Sequence, residues 1–211
     1  MRLTVIGATG GIGTEVTRQA LAAGHEVVAP VRRPDRMAVR HDRLTVERAD
    51  VRDPEQLRDA VKRSDAIISA LGPRRGETSD TVLRDSASAV LAAMRDAGVS
   101  RLVVVSADGA FIEPTDGPVM RFVLKPVAMR VLREHFSDVR AMETVVRASG
   151  ADWTLVRPPR LTDKPGTGRY RTRLDGPVRR GLTIARADVA HAILRAVDDP
   201  TTIRHWLGVA N

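Results

Sequence analysis

The chain has 211 residues, a length suited to one domain with a substantial core. It contains no cysteine, which excludes a disulfide framework and any thiolate metal site. The net charge of +8 raises the question of nucleic acid, yet the basic residues are scattered among acids and aromatics make up only 3% of the chain, so there is no stacking platform.

No nucleic-acid partner is therefore expected, and the positive field would instead steer an anionic small ligand. No apolar run is long enough to cross a bilayer, so no membrane partner is expected either. Met1 leads straight into a strand-like run, which predicts no signal segment, and the lack of cysteine suits the reducing cytoplasm. The histidines show no ligand spacing, so no metal is expected.

Leu3, Val5 and Ile6 lie in an apolar run that ends in Gly7-Ala-Thr9-Gly10-Gly11-Ile12-Gly13, and a helical pattern opens directly after it. That strand–turn–helix context is what a dinucleotide fingerprint requires. Gly7 allows the sharp turn, Gly10 allows backbone N–H groups to approach a pyrophosphate, and Gly13 allows the helix to pack close to the sheet. The phosphates would rest on the helix N-terminus, where unpaired N–H groups and the dipole favour an anion.

Gly24 closes this helix, and His25 to Val31 reads as a second buried strand. Its end selects the cofactor: an acid there takes ribose hydroxyls, a base takes a 2′-phosphate. Arg32 and Arg33 stand at that point, so NADP(H) is expected in preference to NAD(H). Arg43 to Val51 reads as a third strand. Asp53 before Pro54 predicts an N-cap, leaving Asp50 and Val51 for adenine.

A helix over 54–63 leads to the apolar strand Asp65 to Gly72. Ala70, Leu71 and Gly72 at its end would let ribose and nicotinamide lie against the backbone at the point where the strand order reverses. Pro73 to Gly76 reads as a polar loop, and Ser79 to Ala97 as an amphipathic helix closed by Gly98. Arg101 to Val105 is a fifth strand with Ser106 at its tip, facing the nicotinamide.

Residues 107–136 and 158–182 read as a lid or substrate region. Two short helices around Pro126 are expected in the first stretch, and a helix capped by Ser137-Asp138 follows it. Asp152 to Arg157 is a sixth strand, left through Pro158-Pro159-Arg160. Tyr170 to Leu174 predicts a short strand, Arg186 starts a helix, and Ile203 to Val209 is the last strand. Strands alternating with helices predict a doubly wound α/β fold of the Rossmann type, a parallel sheet with helices on both faces, in a single domain spanning 1–211.

These motifs together resemble the short-chain dehydrogenase/reductase superfamily in its atypical branch. The chain is similar to small NAD(P)H-binding proteins of the biliverdin-IXβ reductase/flavin reductase type. The segments that carry the likeness are Gly7 to Gly13, Asp50-Val51, Asp65 to Gly72, Asp152 to Pro159, Thr167-Gly-Arg-Tyr170 and Arg186-Ala-Asp-Val-Ala190. The resemblance implies a dinucleotide clamped by Gly7, Thr9, Gly10, Gly11 and Ile12. Arg32 and Arg33 would hold the 2′-phosphate, Asp50 and Val51 the adenine, and Ala70 to Gly72 the ribose. Ser106 would sit near the nicotinamide, and Pro158 and Pro159 would cover its ring.

Two departures bear on the chemistry. The superfamily's usual tyrosine has a lysine four residues on, whereas the single tyrosine here, Tyr170, has Leu174 at that spacing. Flavin reductase relatives carry a histidine after the paired prolines, where this chain has Arg160. Without a tyrosine acid, a simple ketone would be left as an alkoxide with no proton donor. A conjugated acceptor, flavin- or quinone-like, spreads the charge and takes its proton from water.

Hydride transfer from NADPH to such an acceptor is therefore expected, with Ser106 polarising the acceptor or fixing the carboxamide and Arg160 drawing electron-rich ring oxygens. Pairing of Arg160 with Asp163 is the plain alternative for that residue. A non-catalytic NADP(H) sensor is the alternative function, and a nucleotide-sugar epimerase-like enzyme a more distant one. A monomer or weak homo-oligomer is expected.

Overall fold

β1 (Arg2–Ile6) forms from four consecutive buried residues, because a central parallel strand is covered on both faces. It pairs in parallel with β2 (Glu26–Val31) on one side and β4 (Ala66–Ser69) on the other. β3 (Leu44–Arg48) continues the sheet beyond β2. On the other side follow β5 (Arg101–Val105), β6 (Asp152–Arg157) and β10 (His205–Ala210). The computed structural model describes residues 1–72 and 81–211, so the expected Pro73–Gly76 loop and the expected helix start at Ser79 lie outside the described residues.

Among the described residues the sheet order is β3-β2-β1-β4-β5-β6-β10-β8, in which β8 (Arg171–Leu174) is an antiparallel edge strand exposed at each position. The order reverses between β1 and β4, as a doubly wound sheet requires. A separate two-stranded ribbon joins β7 (Arg160–Thr162) and β9 (Thr183–Ala185), a pairing of three-residue strands that the sequence pattern does not announce.

α1 (Gly11–Ala22) and α6 (Arg186–Asp198) cover one face and pack against each other around Val16, Ala20, Val189 and Ile193. α2 (Pro54–Val61), α3 (Val82–Ala97) and α5 (Arg133–Ala148) cover the other, around Leu57, Val90, Met94 and Val139. Asp53 caps α2 as expected, accepting from the N–H groups of Glu55 and Gln56, with Pro54 in the first turn where no donor is needed. Gly98 ends α3 at φ +69. The α6 C-terminus is closed from a distance: buried Arg101 of β5 donates to the carbonyls of Val197 (3.2 Å) and Ala196.

Asp138 does not start a helix. α5 begins at Arg133, and Asp138 sits in its buried face, where its carboxylate accepts from the N–H groups of Leu83 (2.8 Å) and Arg84 (3.0 Å). It thus caps α3 from a neighbouring helix, filling a need that Thr81 leaves unmet. Upstream, the two short helices expected around Pro126 are a wide π-turn over Met120–Leu124 and α4 (Lys125–Val131). Proline lacks an N–H, and the widened turn before it accommodates that gap. Val119, Phe122, Val123, Val127 and Val131 are exposed on this segment.

Candidate nucleotide site and the Ser106 network

The turn between β1 and α1 is built by close approach. Gly7 has φ +81, and a Cβ on it would lie 2.8 Å from the carbonyl oxygen of Ala70 at the end of β4. A Cβ on Gly13 would lie 2.1 Å from the carbonyl oxygen of Gly7, so only glycine lets α1 lie so near the turn. The Gly10 N–H donates to Gly7 (2.9 Å) and the Thr14 hydroxyl to the Ala8 carbonyl (3.0 Å), which fixes the loop.

α1 opens at Gly10 with no side-chain cap and no acid in its first turn. Its first N–H groups therefore have no partner within the helix, which leaves a positive end exposed for an anion. Gly10 and Gly11 are exposed and Thr9 is half-buried, while the Ile12 side chain belongs to the core, so Ile12 can offer only its backbone.

The other expected contacts line up along the strand ends. Arg32 and Arg33 follow β2, the first half-buried and the second exposed. Asp50 follows β3. Its carboxylate is held by Arg52, through the backbone N–H at 3.0 Å and the guanidinium at 2.9 Å, and that hydrogen bonding lowers its pKa from the ordinary value, with Arg32 adding a smaller attraction. An adenine amino group would have to share this carboxylate with Arg52. Val51 is buried beside it. Ala70 is buried, Leu71 half-buried and Gly72 exposed at the end of β4.

At the β5 tip the structure adds partners that sequence reasoning missed. The buried Ser106 hydroxyl donates to Glu143 of α5 at 2.5 Å. Glu143, also buried, takes two hydrogen bonds from Arg157 at the end of β6, at 2.8 and 2.6 Å. The third arm of Arg157 reaches Glu113 at 2.8 Å, and its guanidinium lies between the rings of Phe111 (3.6 Å) and Trp206 (4.2 Å). Each charge has an opposite partner and directional hydrogen bonds, which a buried pair needs. The signal was available: Glu143 interrupts the apolar stripe Val139, Met142, Val146, and Arg157 ends an apolar strand.

Ser106 has one hydroxyl proton, and Glu143 takes it. Toward a ligand the oxygen is left as an acceptor. Of the two roles expected for Ser106, this geometry favours fixing an amide N–H over polarising an acceptor's carbonyl.

A second buried charge cluster lies in the first of the stretches expected to form a lid. Lys125 is 1% exposed, 3.1 Å from Asp108 and 2.9 Å from Asp116. Burial pushes the Asp108 carboxyl up from its ordinary value, against the pull of Lys125. Asp108 also donates its N–H to the carbonyl of Pro158 (3.0 Å), so the two expected lid stretches meet two residues beyond Ser106. Pro158 is buried and Pro159 half-buried, while Arg160 is exposed at the start of β7.

The alternative partner considered for Arg160 is taken: Asp163 pairs with Arg186. Arg186 itself lies across the glycine turn, since a Cβ on Gly11 would come within 2.7 Å of its Cδ. Tyr170 is placed on the β8–α6 side, where its hydroxyl meets Nδ1 of His191 at 2.7 Å.

Residues 7–200 match the model of a family described as NAD(P)H-binding. The chain belongs to that family. Within it, this NAD(P)H-binding protein is 28% identical over 214 residues to a Bacillus subtilis protein named as the uncharacterized sugar epimerase YhfK, covering 96% of this chain and 90% of that one. A putative exported protein from Burkholderia pseudomallei has the same architecture, with TM-score 0.82, 26% identity and full coverage of both chains.

A wide-type short-chain dehydrogenase/reductase from Veillonella parvula, solved in complex with NADP, superposes with TM-score 0.82 at 21% identity. It covers 100% of this chain and 94% of its own, a likeness that shows the fold. The fold is the one these solved proteins share, and the family is the NAD(P)H-binding one. Among the described residues no helix is long and apolar enough to cross a membrane.

Proposed function

We propose that this NAD(P)H-binding protein is an NADPH-dependent reductase that passes a hydride to a conjugated acceptor, flavin- or quinone-like. The observation that carries the reading is the Ser106 end of the sheet. At the strand tip expected to face the nicotinamide, this chain offers a serine whose proton is committed to Glu143, and its one tyrosine, Tyr170, lies away from it against His191. An acceptor that needs no protein acid fits such a site. Ser106 then accepts the carboxamide N–H of the nicotinamide, and Pro158 and Pro159 lie over the ring. Arg160, exposed at the mouth, attracts an electron-rich or anionic acceptor.

NADPH in preference to NADH rests on Arg32 and Arg33 at the end of β2, and the NADP complex of the Veillonella relative supports it. NADPH, supplied with riboflavin phosphate or a soluble quinone, should be oxidised at a rate set by protein concentration. Arg32→Ala with Arg33→Ala should weaken NADP⁺ binding about tenfold to a hundredfold and leave NAD⁺ nearly unchanged. No oxidation across a broad panel of acceptors, with tight NADP(H) binding intact, would replace the reductase with a sensor. The name of the Bacillus relative supports a second reading, epimerisation of a nucleotide sugar, which would show as isomerisation with no net oxidation of cofactor.

A further inference from the structure

Arg186 is a cation placed where cations are disfavoured. Its side chain crosses Gly11, the first residue of α1, and so stands at the positive end of that helix. The helix supplies no counter-charge there, since its first turn holds no acid and Glu15 is turned to Arg18. Asp188, the acid in the first turn of α6, is spent on the N–H groups of Thr167 (2.9 Å) and Gly168 (2.8 Å). The carboxylate given to Arg186 is Asp163, whose side chain is 91% exposed while that of Arg186 is 30% exposed.

Around this pair lies a cleft of about 370 Å³, lined by Gly11, Lys164, Gly166 and Arg186 among others. The lining also holds Glu15 and Arg18, which pair with each other, so Lys164, Arg186 and a helix end face the one solvated carboxylate of Asp163. With both acids paired, the cleft keeps an excess positive charge on Lys164 beside the positive helix end, which an anionic diphosphate would offset.

We infer that Arg186 is a pyrophosphate clamp, and that Asp163 is the surrogate anion it releases when a dinucleotide arrives. This deepens the proposed NADPH reading and rests on it. The guanidinium donates through several N–H groups in a fixed plane, which suits two phosphate oxygens better than one mobile carboxylate. Exchange of Asp163 for phosphate frees the segment from Asp163 to Gly166, while the Asp188 contacts keep Thr167 and Gly168 in place. Arg186 reads the diphosphate common to NAD and NADP; Arg32 and Arg33 read the extra phosphate. The two sets of arginines therefore do separable work.

Titration calorimetry with NADP⁺, NAD⁺ and adenosine 2′-monophosphate, at low and moderate salt, separates them. Arg186→Ala should weaken both dinucleotides alike, about tenfold to a hundredfold, and leave the monophosphate within about twofold. Arg186→Lys should fall between. Asp163→Ala should move the other way, tightening both dinucleotides by a few-fold, most at low salt.

A thermal melt of each variant separates misfolding from lost affinity. The clamp is overturned if Arg186→Ala leaves the dinucleotides unaffected, if it weakens the monophosphate equally, or if Asp163→Ala weakens dinucleotide binding in the manner of a structural brace. A wild-type chain that binds the monophosphate but neither dinucleotide also overturns it. One that binds none of the three overturns the nucleotide reading along with it.

Discussion

The two ends of the candidate site are finished differently. At the β1–α1 turn the helix opens uncapped, glycines stand exposed, and the nearby cation has only a solvated partner. At the β5–β6 tip, Ser106, Glu143, Arg157 and Glu113 form a network of paired charges, closed on both sides by aromatic rings. On the proposed reading a ligand completes the first end, whereas the second is internally paired. The difference assigns binding energy to the former and rigidity to the latter. A cleft with the proposed function, capturing a dinucleotide and holding its ring in one pose, would need both.

Breaking the finished end should cost the most. Glu143→Ala leaves the buried Arg157 with Glu113 as its one carboxylate partner and removes the acceptor of the Ser106 proton. We expect a loss of about 3–5 kcal/mol, read as a lowered denaturant midpoint at unchanged slope. If Glu143 were an ordinary surface acid, the midpoint would hardly move. Asp138→Ala removes the cap that α5 lends to α3. It should cost about 1–2 kcal/mol and raise hydrogen exchange at Leu83 and Arg84, with the glycine turn unaffected.

The smallest effect is a pH dependence at His135, whose pKa is lowered by burial, with a smaller opposing attraction from Asp138. As pH falls below about 6.5 the unfolded chain takes up the proton before the folded one does, so stability drops with pH in that window. His135→Gln should flatten that drop between pH 7 and 5. An unchanged slope would show that the ring is solvated in the fold.

What could be read in the sequence follows the same division. The glycine turn, the Asp53 cap and the Gly98 stop are encoded by neighbours within a few residues, so local patterns suffice to place them. The network at Ser106 joins residues from β5, α5 and β6, and Asp138 caps a helix more than fifty residues upstream. Those contacts exist only once the sheet has formed. Lys125 shows the point in miniature. In the sequence it is a lysine with no tyrosine partner, and in the fold it is a buried post between Asp108 and Asp116. Arg186 was legible as a helix start but not as a neighbour of Gly11, because 175 positions separate them in the chain.

The antiparallel edge strand β8 has a consequence for life in a crowded solution. A bare sheet border is a template on which a stranger's backbone can zip. Here it reads Arg171-Thr-Arg-Leu174, with two guanidinium-bearing side chains along four positions and one of them, Arg171, tied back to the carbonyls of Arg179 and Asn211. An incoming strand would have to desolvate those cations without compensation, so the lattice of hydrogen bonds stops growing where the chain itself stops supplying it.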